Sequence, residues 1–161
     1  MSETVHGTAV LMGASGILIR GPSGSGKSRL AAAIVERGGR LVGDDRVHLS
    51  ARAGRLVAVP HGALAGLIEL RGRGLLRLPY EPACVVSLVA DIEPEETLAR
   101  LPEPGALVTA ILGVALPRQP VPGRPGQAIR LLRVALGATF GACDRTANGQ
   151  DGGPSGIQTV R

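Results

Sequence analysis

The sequence predicts an α/β domain with few helices on a mixed, partly antiparallel sheet. Three observations carry this. A short apolar run, a glycine-rich loop and an alanine-rich amphipathic segment follow one another over residues 17–38. Several valine-rich runs are joined by short glycine-containing turns, which antiparallel strands allow and parallel strands do not. Only two well-formed stretches carry helical periodicity, too few for an ordinary doubly wound sheet.

Taken in order, residues 4–13 (TVHGTAVLMG) read as a strand and residues 17–20 (ILIR) as a short buried strand, the two forming a hairpin. Residues 27–38 read as a helix. Leu30, Ile34 and Val35 fall at helical spacing, three alanines favour it, and Gly38-Gly39 stops it. Residues 40–43 form a strand ending at Asp44-Asp45, and residues 46–60 a hairpin turning at Ala53-Gly54. Residues 61–79 hold four glycines and read as a short strand within glycine-rich loops. Residues 83–92 are a strand, 93–101 one or two helical turns, and 106–117 strands broken at Gly113. Residues 120–126 (PVPGRPG) are a rigid loop, and 127–140 an amphipathic helix with Ile129, Leu132 and Leu136 on one face. Residues 1–140 are therefore read as one domain, and 141–161 have the composition of a mobile tail.

Composition narrows the function. The chain has 161 residues, 44% of them hydrophobic, and almost no aromatics, so its core is aliphatic and base stacking is a poor fit. The net charge is +5, but the arginines are scattered without an aromatic-interleaved stripe. A polyanionic substrate or an acidic protein fits that charge better than a nucleic acid does. Cys84 and Cys143 lack metal-site spacing and imply no disulfide framework. The N-terminus lacks a signal-peptide pattern and no apolar run is long enough to span a membrane, so a cytoplasmic location with no membrane partner is expected.

The chain has one lysine against seventeen arginines, and it stands in GPSGSGKS, residues 21–28. Gly21, Gly26, Lys27 and Ser28 match G-x-x-x-x-G-K-[ST], with a strand before and a helix after. In such a P-loop, Gly21, Pro22, Ser23, Gly24, Ser25 and Gly26 shape a concavity of backbone N–H groups for phosphate oxygens. The helix N-terminus adds positive potential. Ser28 offers a small hydroxyl to Mg²⁺. Lys27 sends a compact charge to the β- and γ-phosphates, a task for which a planar guanidinium is too wide. Asp44-Asp45 can hold Mg²⁺ or its water, accept a proton from an attacking hydroxyl, or simply be a polar strand end. His6 could reach the phosphate site or be structural, while His48 and His61 are read as structural. Glu69, in an apolar segment, should face a metal or Arg71, or pair with Arg71 on one strand face.

Together these residues resemble the catalytic domain of the HPr kinase/phosphorylase family. The run VHGTAVLMGASGILIRGPSGSGKSRLAAAIVERGGRLVGDD is similar to that family's core, GLIELRGRGLL to its IE-x-RG-x-G signature, and PVPGR to its PV-x-PGR loop. The resemblance implies a P-loop fold similar to phosphoenolpyruvate carboxykinase. It implies ATP- and Mg²⁺-dependent phosphorylation of a seryl hydroxyl on the phosphocarrier HPr. It also implies phosphorolysis of phosphoseryl-HPr by inorganic phosphate, giving pyrophosphate, and assembly as a hexamer. By the same resemblance Asp45 is the proton acceptor, and donor in reverse, with Asp44 in support. His6, Lys27 and Arg100 match active-site positions, and Ser28 and Glu69 match Mg²⁺ ligands. Pro120, Val121, Pro122, Gly123 and Arg124 match the loop tied to phosphorolysis. Typical members carry a separate N-terminal domain, whereas this chain starts almost at the catalytic one. Pro125 stands where the family has Asn, and RLPYEP replaces a glycine-rich continuation. A small-molecule P-loop kinase and a non-catalytic nucleotide-binding regulator are the alternatives. The first lacks a long lid insertion here, and the second has no need of Asp45.

Overall fold

A computed structural model describes residues 1–139. The elements run β1 (Ser2–His6), β2 (Thr8–Met12), β3 (Ser15–Arg20), α1 (Lys27–Glu36), β4 (Arg40–Gly43), β5 (Arg46–Arg52), β6 (Arg55–Pro60), β7 (Leu67–Leu70), β8 (Gly74–Arg77), β9 (Cys84–Ile92), β10 (Val108–Ile111), β11 (Val114–Val121) and α2 (Pro125–Thr139). Short 3₁₀ turns cover Gly62–Leu64, Glu95–Thr97 and Pro104–Leu107. The expected tail, 141–161, lies outside the described residues, as do Phe140 and Cys143.

The main sheet has the order β1-β5-β6-β9-β3-β2-β4, with β11 also on β9 and β10 on β11. Strands β3, β9 and β11 pair in parallel, and every other neighbour pair is antiparallel. The fold is thus a mixed α/β sheet with few helices, as the sequence predicts.

The parallel centre is apolar on both faces. Along β3, Ile17 and Ile19 enter one core while Leu18 enters the other. Such strands read as continuous hydrophobic runs because both faces are covered. Helices α1 and α2 cover the first face through Leu30, Ala31, Ile34, Ile129 and Leu132. The second face packs Val47 and Leu49 of β5, Leu56 of β6, and Ile111 and Val114 of the β10–β11 hairpin. Gly16 permits the closest approach at the centre, since a Cβ there would lie 2.2 Å from the Val85 carbonyl oxygen.

Several expectations need correction. Residues 4–13 are two strands, because the N–H of Gly7 bonds the Asp45 carbonyl at 3.1 Å instead of continuing a ladder. Only β2 forms the hairpin with β3. Strand β1, with His6, pairs with β5, His6 standing opposite Arg46, and not with the strand that feeds the 21–28 loop. Residues 61–79 hold a separate two-stranded hairpin, β7–β8, where one short strand is expected. Its turn runs over Arg71-Gly72-Arg73, with Gly72 at φ 89. Helix α2 starts at Pro125, because a proline fits a helix's first position. The rigid loop is correspondingly shorter, and Pro120 and Val121 belong to β11.

The hairpin β5–β6 turns at Ala53-Gly54 as expected, with φ of 49 and 74, and Leu112-Gly113 (φ 49 and 77) makes the same kind of turn between β10 and β11. Two consecutive positive φ values match the right-handed twist of the flanking strands.

Strand β2 is antiparallel to both β3 and β4, so β3 and β4 run the same way. Their C-terminal ends therefore emerge on one side. The loop after β3 and the acidic pair after β4 meet there, where open α/β sheets bind ligands.

Candidate active site

The 21–28 loop enters α1 through Gly26, the helix N-cap, at φ 103. A side chain there would be strained, and no side-chain cap closes the helix end. The first turn holds no acid either, so its N–H groups and its positive end face the loop unneutralised. Lys27 reaches back over the loop, its Nζ donating to the Gly21 carbonyl at 2.7 Å and the Pro22 carbonyl at 3.1 Å.

The two aspartates part company. Asp44 is 4% exposed and turns inward. Its Oδ1 accepts from the Thr8 hydroxyl at 2.7 Å. Ser28 Oγ lies 2.9 and 2.8 Å from its two carboxylate oxygens. The Glu69 backbone N–H also points to Asp44 Oδ2, at 3.4 Å. Asp45 adopts φ 67, a left-handed conformation that Asp tolerates better than most side chains. That flip sends its carboxylate outward, 69% exposed, where His6 Nδ1 stands 4.0 Å away.

A cleft of about 470 Å³ joins these groups. Its walls include Lys27, Ser28, Asp44, Asp45, Glu69 and Arg71. Glu69 is exposed on β7, so the expectation of a buried acid needing a partner is corrected. Neither Glu69 nor Arg71 makes a salt bridge among the described residues; the register sets Glu69 opposite Leu75. Ser28, Asp44 and Glu69 are an all-oxygen donor set of the kind hard divalent cations prefer. Among the described residues no group of three or more His, Cys, Asp or Glu could hold a metal by itself. Mg²⁺ is commonly bound by one or two carboxylates, completed by waters and substrate phosphates, so this set fits it.

The 120–124 segment adjoins the 21–28 loop. Arg29 Nη2 donates to the Gly123 carbonyl at 2.5 Å. Arg124 turns aside to pair with Glu95 at 3.1 Å. Arg100 is exposed, lies outside the lining of the cleft and forms no salt bridge among the described residues. His48 accepts or donates one contact, with the Thr4 hydroxyl at 3.2 Å, consistent with a structural role.

Three features escape the sequence reading. Thr8 carries no motif. Arg29 follows the motif by one residue. The third is an ion network across the three parallel strands. Arg20 grips Asp91 with two bonds, 2.7 and 2.8 Å. Arg118 bonds Asp91 from the other side, and Glu93 at 2.8 Å. Burial works against the charge on Asp91, but the bonds and charges of Arg20 and Arg118 outweigh it and hold the carboxyl below its usual range. Burial likewise opposes the charge on Arg118, and Asp91 and Glu93 outweigh it. The network anchors Arg20, the residue that leads into the 21–28 loop. An acid closing a strong strand at 83–92 is the only sequence signal for it.

A family model described as the HPr Serine kinase C-terminal domain matches residues 1–140. The chain belongs to this family. HPr kinase/phosphorylase of Limosilactobacillus reuteri (strain DSM 20016) is 34% identical over 141 residues, which cover 81% of this chain and 44% of that protein. The protein of the same description from Geobacillus thermodenitrificans (strain NG80-2) is 34% identical over 142 residues, covering 81% and 46%. The chain thus spans less than half the length of these relatives. The solved structure of the Hpr(Ser) kinase/phosphatase from Coxiella burnetii superposes with a TM-score of 0.77 at 25% identity, over 86% of this chain and 99% of that one. Among the described residues no helix is long and apolar enough to cross a membrane.

Proposed function

We propose that this chain is an Mg-ATP-dependent protein-serine kinase that phosphorylates a seryl hydroxyl of HPr, and that the same site runs the reverse transfer to inorganic phosphate. Membership of the HPr serine kinase family supports the class of reaction. The single observation that carries the assignment of roles is the placement of Lys27, Ser28 and an outward-facing Asp45 on one cleft. In this reading the protein works in the cytoplasm as a homo-oligomer, a hexamer by the family resemblance.

In this reading the 21–28 loop is a P-loop of the phosphoenolpyruvate-carboxykinase type. The backbone N–H groups of Gly21 to Gly26 and the first turn of α1 bind the polyphosphate. Lys27 exchanges its two loop carbonyls for phosphate oxygens and stabilises charge on the transferred group. Ser28 and Glu69 would hold Mg²⁺, and Asp44, hydrogen-bonded to Ser28, would orient that hydroxyl and join the donor set. Bound Mg²⁺ supplies neutralisation of the phosphate oxygens. Arg100 lies outside the lining of the cleft, so its part as a further cation for the transferred group rests on the family resemblance alone.

Asp45 is the base. Its carboxylate is exposed, so an incoming protein hydroxyl can reach it. It takes the seryl proton as the oxygen bonds to phosphorus and the bond to ADP breaks. In reverse, an oxygen of inorganic phosphate attacks the phosphoseryl phosphorus, the serine oxygen leaves with the proton from Asp45, and pyrophosphate departs. His6, beside Asp45, steers that carboxylate. Arg124 and the Pro120–Arg124 loop admit the inorganic phosphate. The test is incubation of the protein with Mg-ATP and HPr, with the product located by mass. Phosphoserine on HPr is the expected product, and no transfer to HPr under conditions of nucleotide binding refutes the proposal.

A further inference from the structure

Arg29 occupies the third position of α1, one residue past Ser28. A cation there sits at the positive end of the helix, two residues past Lys27, with no acid in the first turn. Helix electrostatics disfavour that placement. Its guanidinium nevertheless has a defined task, since Nη2 bonds the Gly123 carbonyl.

The surroundings make that bond a seam between two loops. A Cβ built on Gly123 would lie 3.4 Å from the Ser25 carbonyl oxygen and 3.9 Å from Arg29 Nη2. A Cβ built on Gly26 would lie 3.7 Å from the same Nη2 and 4.0 Å from the Gly123 carbonyl oxygen. The two glycine backbones therefore face each other with the guanidinium at their junction. The 120–124 segment, the end of β11 and the turn after it, is pinned elsewhere too. Glu93 N–H bonds the Val121 carbonyl at 2.9 Å, Ala128 N–H bonds the Arg124 carbonyl at 2.9 Å, and Arg124 pairs with Glu95. Of these ties only the Arg29 bond reaches the 21–28 side, and Arg29 itself lines the cleft.

We propose that Arg29 is a positioning residue: through the Gly123 carbonyl it clamps the Pro120–Arg124 loop against the 21–28 loop, and so sets the affinity of the site for inorganic phosphate in the reverse transfer. The kinetic part rests on the function proposed above, whereas the clamp rests on geometry alone. Two consequences separate it from a general stabilising role. Loss of the guanidinium loosens Gly123 and Arg124 locally, leaving the buried core of α1 intact because Arg29 is exposed. It also weakens inorganic phosphate binding more than it slows turnover.

The test uses the full chain and the Arg29→Ala variant. Backbone amide exchange is followed at Gly123 and Arg124, and the kinetics of phosphoseryl-HPr phosphorolysis are followed against inorganic phosphate. The variant should exchange at these two amides about tenfold faster, as loss of one charge-assisted hydrogen bond implies, with α1 unchanged. Its KM for inorganic phosphate should rise about tenfold, by more than kcat falls. Unchanged exchange at Gly123 and Arg124 overturns the clamp. A fall confined to kcat overturns the role in phosphate binding. Should the wild-type chain transfer phosphate in neither direction, the proposed function fails, and the exchange measurement still decides the clamp.

Discussion

Ser28 Oγ stands within 2.9 Å of both carboxylate oxygens of Asp44, and Thr8 Oγ1 stands 2.7 Å from Oδ1 of the same group. One buried acid thus ties β2, the start of α1 and the end of β4 together. Replacing Asp44 by Ala leaves two hydroxyls without their acceptor. The expected loss is about 1–3 kcal/mol of stability, read from urea unfolding. The affinity for Mg²⁺ in the presence of ATP should fall in the same variant by roughly tenfold or more, because one oxygen of the proposed donor set is gone.

Lys27 tests the reason for the chain's one lysine. Arginine keeps the charge but brings a wide, flat fork into a cradle shaped for a point charge. Lys27→Arg should lower phosphoryl transfer roughly a hundredfold or more, the usual scale for losing one group that stabilises transition-state charge. Its melting temperature should stay near that of the wild type, since among the described residues Lys27 bonds only loop carbonyls. Steady-state transfer assays beside thermal melts check both halves.

The network around Asp91 gives a pH prediction. Asp91 is held below the ordinary value of 3.8, so its folded pKa lies under its unfolded one. Its contribution is fully present above the unfolded value and is lost as pH falls through the folded one. Acid unfolding of the wild type should therefore include a component below pH 3.8 that Asp91→Asn lacks. At neutral pH the variant should be less stable by about 2 kcal/mol, because two arginines lose a charged acceptor. Urea melts at a series of pH values measure both effects.

How much of this was open to sequence reading depended on range. The 21–28 loop and α1 were legible because their chemistry is local: glycines, a lysine and a hydroxyl within eight residues. The β5–β6 turn was legible for the same reason. The partner of β1 was not, because pairing His6 with Arg46 is a long-range choice that no local pattern encodes. Asp44 and Asp45 read as one acidic pair; the positive φ of Asp45, which gives them opposite surroundings, is set by the bonds of Gly7 and Arg46 around them. The Arg20–Asp91–Arg118 network left only the acid near the end of 83–92 as a trace, since its members lie on three strands that become neighbours only in the folded sheet.

Cys84 is buried at the start of β9, and burial pushes its thiol up to about 11. Near pH 8 its thiolate is therefore only about a thousandth of the population. Iodoacetamide at that pH should leave Cys84 unlabelled in the native protein and label it promptly in urea, as peptide mapping by mass will show. Prompt labelling of Cys84 in the native state contradicts the packing described for the β-strand face of the core.

The central claim is that Asp45 removes the proton while the 21–28 loop holds the nucleotide, two separable tasks on one cleft. The most direct test is single-turnover transfer from Mg-ATP to HPr by Asp45→Asn, with nucleotide affinity measured on the same preparation. Binding should stay within about threefold of wild type while the transfer rate falls roughly a hundredfold or more, the scale of losing a positioned general base. Transfer at the wild-type rate by Asp45→Asn, or loss of nucleotide binding with it, contradicts the claim.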